Sequence, residues 1–105
     1  MFNLNEYMKA NRVDILTVKH IVCQDGFTVS AQAGKYNYCE PKKDGAESYT
    51  SVELGFPSEY MGDEFIMYCD DIEDPTDTIY SYVPVALVEA LVERHGGLKE
   101  PCAGS

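Results

Sequence analysis

From Phe27 to Ala33 apolar and polar residues alternate without a break, with Phe27, Val29, Ala31 and Ala33 on one side and Thr28, Ser30 and Gln32 on the other. Successive side chains of a strand point to opposite faces, so this stretch predicts a half-buried antiparallel strand with its apolar side toward a core. Gln24-Asp25-Gly26 supplies turn chemistry just before it. The β-branched run from Leu16 to Cys23 predicts the partner strand.

The remaining elements follow the same rules. Leu4, Tyr7 and Met8 recur at the spacing of one helical stripe, which predicts a short N-terminal helix capped by Asn3. Gly34 ends the alternation, and an extended continuation from Lys35 to Cys39 is compatible with the residues there. Glu40 to Gly45 is a charged surface loop. Ser48 to Gly55 predicts a strand with Thr50, Val52 and Leu54 on one face, and Phe56 to Gly62 an irregular crossing with room for one helical turn. Phe65 to Cys69 and Thr78 to Val83 are the last two expected strands, separated by the acidic loop Asp70 to Asp77, where Pro75 opposes a continuous strand.

Pro84 suits the start of a helix and Gly96-Gly97 its end. Leu87, Val88, Leu91, Val92 and His95 form the apolar stripe, with Glu89 and Glu93 outside and Arg94 near the negative end of the dipole. The expected architecture is α+β: an antiparallel sheet of about four to five strands packed by a C-terminal amphipathic helix, with a short N-terminal helix. Residues 1–98 are expected to form a single domain and 99–105 a loose C-terminal tail.

With 105 residues there is room for one core, and 45% hydrophobic against 25% charged residues is the balance of a folded chain. No apolar run approaches the roughly 20 residues of a membrane span, and Met1 to Ala10 lacks a signal peptide's basic start and apolar middle. A cytoplasmic protein, in a bacterial host cell, is expected. Cys23, Cys39, Cys69 and Cys102 then read as free thiols, and their wide spacing lacks the paired ligands of a structural zinc site.

Charge is the most informative functional feature. From Asp44 to Glu93 there are thirteen Asp or Glu and no Lys or Arg, and this segment accounts for the net charge of −10. Three readings stand side by side. The acids can be a solvated surface. Asp70 to Asp77 offers hard oxygen ligands to a cation, but lacks the glycine turn and terminal glutamate of an EF-hand loop. Carboxylates spaced along neighbouring loops can also imitate a row of phosphates and engage a basic protein surface. Direct nucleic-acid binding is opposed by the net charge, and Lys35, Lys42 and Lys43 make only a small basic patch.

The expected partner-binding residues are Asp63, Glu64, Asp70, Asp71, Glu73, Asp74 and Asp77 for charge, with Tyr60, Tyr68 and Phe65 for apolar contact. No catalytic residue, metal ligand or cofactor is assigned, and the chain is not expected to be an enzyme. His20 and Cys23, the nearest base and thiol, are three apart on an expected strand and point to opposite faces. Gly-rich phosphate loops, Gly-x-Ser-x-Gly and His-Glu-x-x-His are absent from the sequence.

Tyr49 to Ser58 and Thr78 to Val85, running into Leu87-Val88-Glu89 and ending Arg94-His95-Gly96-Gly97, resemble segments of small proteins encoded by bacteriophages and mobile elements, over about residues 27 to 98. In size, acidity and lack of motifs the chain also resembles anti-CRISPR proteins and other phage inhibitors of host defence, a class unified by function and not by fold. The resemblance implies an inhibitor that occupies the basic surface of a host nucleic-acid-binding protein or CRISPR effector, with no cofactor. A phage or plasmid accessory protein, acting by self-association along an exposed strand edge, as in a homodimer, is the alternative.

Overall fold

In the computed structural model, which describes residues 1–99, the chain runs α1 (Leu4–Ala10), β1 (Arg12–Asp14), β2 (Thr17–Val18), β3 (Ile21–Val22), β4 (Thr28–Gln32), β5 (Ser51–Gly55), a 3₁₀ helix (Asp63–Tyr68), β6 (Ile79–Pro84) and α2 (Val85–Arg94). Strands β3, β4, β5 and β6 form an antiparallel sheet in that order, and β1 and β2 form a separate two-stranded ribbon. The class is α+β, as the periodicities predict. No described helix is long and apolar enough to cross a membrane.

Strand β4 realises the alternation: Phe27, Val29, Ala31 and Ala33 are all buried. They share one core with Val52 and Leu54 of β5, Val83 of β6, Leu4 and Met8 of α1, and Val88, Leu91 and Val92 of α2. Asn3 caps α1 by accepting from the Glu6 N–H at 3.0 Å. Glu89 and Glu93, expected on the outer side of α2, turn back to this helix start. Glu89 accepts from Leu4 N–H at 2.9 Å, a first-turn donor without a helical partner, and Glu93 accepts from the N–H of Phe2, just before the cap.

Four expectations are corrected. The strand Leu16 to Cys23 is split, with Leu16 in the exposed turn of the β1–β2 ribbon and a break at Lys19-His20. The Gln32 side chain explains the break: it accepts from Val18 N–H at 2.7 Å and donates to Val18 O at 2.9 Å, joining β2 to β4 where a backbone ladder would run. Lys35 to Cys39 turns instead of extending, with Asn37 N–H bonded to Gly34 O. Thr50 lies before β5 and is exposed, whereas Tyr49 is buried, its backbone held on both sides by Asn5 and its hydroxyl donating to Lys43 O at 2.7 Å. Phe65 to Cys69 is not a strand; Phe65 to Tyr68 belong to the 3₁₀ helix, and Cys69 is its extended C-cap.

Both outer strands of the sheet are met by other parts of the chain. Beside β3, Lys99 N–H donates to Val22 O at 2.8 Å and Leu98 bridges Cys23. Along β6, Tyr82 N–H donates to Tyr38 O at 3.0 Å and Cys69 bridges Tyr80. Lys99, the first residue of the expected tail, makes this one bond while its side chain is exposed, and the rest of that expected tail, 100–105, lies outside the described residues.

Candidate protein-binding face

The acidic segment is built on three fixed points. At its entrance Gly62, with φ of 121°, turns the chain into the 3₁₀ helix in a region closed to most other residues. Arg94, at the end of α2, holds that turn by donating to Met61 O at 2.8 Å and to Glu64 Oε2 at 3.0 Å. At the exit, Asp70 N–H donates to Ile79 O at 3.0 Å, which closes the base of the acidic loop against β6. Inside the loop the buried Tyr80 hydroxyl donates to Pro75 O.

The loop also folds on itself. Asp71 Oδ1 accepts from Glu73 N–H at 3.1 Å, Asp74 N–H donates to Asp71 O, and Asp77 N–H donates to Asp74 O. These are successive Asx and backbone turns, which Asp tolerates because its short side chain replaces a backbone acceptor. The carboxylates therefore stand on a stitched loop.

All seven expected charge-bearing residues, Asp63, Glu64, Asp70, Asp71, Glu73, Asp74 and Asp77, are exposed. Arg94 is their one cationic partner among the described residues, and it pairs with Glu64. That pairing holds the Glu64 carboxyl below its ordinary range, with the Arg94 hydrogen bond as the leading cause. Tyr60 donates its hydroxyl to Asp63, and this bond to a carboxylate raises the phenol's pKa.

The aromatic expectations divide. Tyr60 is exposed and Tyr68 half-buried, so both have surface to offer. Phe65 is corrected: at 1% exposure it is a core residue and has no surface for a partner. The reason is the change of period. A 3₁₀ helix has about three residues per turn, so Phe65 and Tyr68 fall on the inner side while Glu64 and Met67 share the outer one. Met67 is 80% exposed and Ile72, in the loop, 62% exposed. These two apolar side chains among the acids were not singled out from the sequence. The helical period would have pointed to Met67, but a run as short as Phe65 to Cys69 does not reveal its period.

His20 is exposed while Cys23 is fully buried, and burial, helped by the Asp25 charge, pushes the Cys23 thiol up to about 11. A thiol in that state is not an activated nucleophile. Cys23, Cys39 and Cys69 are free, and Cys102 lies outside the described residues. Among the described residues, Asp25, Glu59 and His95, none of them from the Asp70 to Asp77 loop, bring three possible metal-ligand atoms together. No protein-family model, curated protein or solved structure matches the chain.

Proposed function

We propose that this protein acts by binding, presenting the acidic face to the basic surface of a nucleic-acid-binding protein and competing there with the phosphate backbone. The observation that carries this reading is the stitched loop: exposed carboxylates stand on a segment held by Arg94, Tyr80 and Ile79, and among the described residues all of the seven but Glu64 are without a cation. A preorganised row of charge loses less conformational entropy on binding than a flexible acidic tail. Met67 and Ile72 add apolar area within the charged field, the arrangement of an interface centre ringed by polar groups.

The resemblance to phage inhibitors suggests the partner class, a host-defence complex such as a CRISPR effector in the bacterial cytoplasm. Self-association along a strand edge is the weaker reading, because residues 98–99 cover β3, and Tyr38 and Cys69 cover β6. The test is affinity capture from a bacterial lysate containing defence complexes, comparing wild type with a triple variant carrying Asp70→Asn, Asp71→Asn and Asp74→Asn. Retention of a nucleic-acid-binding complex by wild type and its loss by the variant is the expected result. Equal capture by both proteins would remove the acidic face from the mechanism.

A further inference from the structure

Three side chains remote in sequence converge at the C-terminal end of α2. His95 Nδ1 stands 2.6 Å from Asp25 Oδ2 and 3.7 Å from Glu59 Oε1, and one ligand atom from each residue lies within 4.8 Å of the others. Asp25 belongs to the β3–β4 turn, Glu59 to the crossing after β5, and His95 to the cap of α2.

Each of the three side chains sits on an anchored stretch of chain. His95 N–H bonds to Leu91 O and Val92 O at 3.2 and 3.1 Å, and its ring stacks on Phe27 with centroids 4.2 Å apart and planes 10° from parallel. Asp25 Oδ1 accepts from the Phe27 N–H at 3.0 Å, leaving Oδ2 toward the imidazole. Glu59 follows Ser58, whose N–H donates to Thr28 O at 2.8 Å and whose hydroxyl accepts from Thr28 N–H at 2.9 Å. The His95 side chain is 14% exposed and the two carboxylates 50% and 59%, and Asp25 and Glu59 line a shallow pocket with Gly26, Phe27 and Ser58.

We propose that Asp25, Glu59 and His95 bind a divalent first-row transition-metal ion such as zinc, with water completing the shell. One imidazole nitrogen and two carboxylates suit such an ion, whereas calcium and magnesium favour shells built from oxygen alone. Zinc bonds of about 2.0–2.2 Å place neighbouring donors roughly 3.3–3.6 Å apart around a tetrahedral ion. The observed separations of 2.6 and 3.7 Å lie on either side of that range. Exposed carboxylates can make the adjustment by rotation. A bound ion would tie the crossing at Glu59 to the end of α2, one residue from the arginine that holds Met61 and Glu64. The site does not depend on the acidic face having a partner.

The test is a Co²⁺ titration of the full chain, followed by visible absorption, with Zn²⁺ and Mg²⁺ as competitors. Expected are one-to-one saturation, bands of nitrogen and oxygen ligation without a sulfur-to-cobalt charge-transfer band, displacement by Zn²⁺ and none by Mg²⁺. Glu59→Gln, at an exposed position, weakens binding at least about tenfold with an unchanged circular dichroism spectrum, and His95→Gln removes it. Absence of saturable binding, a sulfur charge-transfer band, or a titration unaltered in both variants would overturn the proposal.

Discussion

Arg94 and Glu64 meet at 3.0 Å, and the same guanidinium reaches Met61 O at 2.8 Å, so the last turn of α2 holds the start of the 3₁₀ helix that carries Asp63 and Glu64. Arg suits this position because its planar fork donates to a carboxylate and a carbonyl at once. In Arg94→Met the Glu64 carboxyl should therefore titrate at a higher pH than in wild type, approaching the ordinary value of about 4.3. In wild type the folded value is the lower one, so the pair's contribution is present above that ordinary value and fades as pH falls through the folded one. Carboxyl carbon chemical shifts followed by NMR across the acid range check this, and an unchanged Glu64 midpoint would count against the pairing.

Phe65 and Met67 separate core from contact. Phe65→Ala should cost about 3–5 kcal/mol in denaturant unfolding, as truncation of a buried aromatic does. Met67→Ala should stay within about 0.5 kcal/mol of wild type, because its side chain faces solvent. If the segment were a strand, Phe65 and Met67 would share a face and the two losses would be alike.

The sequence carried most of the sheet. Strand β4 was legible because Val29 and Ala31 alternate with Thr28, Ser30 and Gln32, a period of two, although Ser30 is buried as well; β6 and α2 were legible because Pro84 and Gly96-Gly97 bracket the helix. The 3₁₀ helix was not, since Phe65-Ile66-Met67-Tyr68-Cys69 is apolar throughout and its shape is imposed by Gly62 and Arg94 from outside. The carboxylates of the candidate face were visible as charge, but the hydrogen bonds that position them are made by Tyr80, Ile79 and Arg94. Asp25 and His95 lie 70 positions apart, a distance at which spacing carries no signal.

Gly62 is the least replaceable glycine of the face. A Cβ there would stand 2.0 Å from Glu64 Oε1, and the φ of 121° is strained for any side chain. Gly62→Ala should destabilise the protein by more than about 1 kcal/mol and displace Glu64 from Arg94. Thermal unfolding, together with the Glu64 titration, checks both effects; a stability equal to wild type would show that the turn does not need its left-handed geometry.

Asp25 gives the sharpest pH signature. Its carboxyl is held below the usual carboxylate range, first by the Phe27 N–H and then by His95. A depressed folded value means that its contribution is present above the unfolded value of about 3.9 and is lost as pH falls through the folded one. Wild type should therefore be more stable than Asp25→Asn near neutral pH, and the difference should shrink toward zero in strong acid. Unfolding midpoints of the two proteins measured across that range give the answer, and a difference independent of pH would contradict it.

The central claim is that ordered carboxylates recognise a basic surface in competition with nucleic acid. The most direct measurement is the affinity for a captured partner at about 0.05 and 0.5 M salt, with and without the partner's nucleic acid, for wild type and the variant carrying Asp70→Asn, Asp71→Asn and Asp74→Asn. The account predicts that wild-type affinity falls at least about tenfold with salt, that the nucleic acid displaces the protein, and that the variant binds more weakly with a shallower salt dependence. Affinity that is indifferent to salt, to the three substitutions and to the nucleic acid would contradict it.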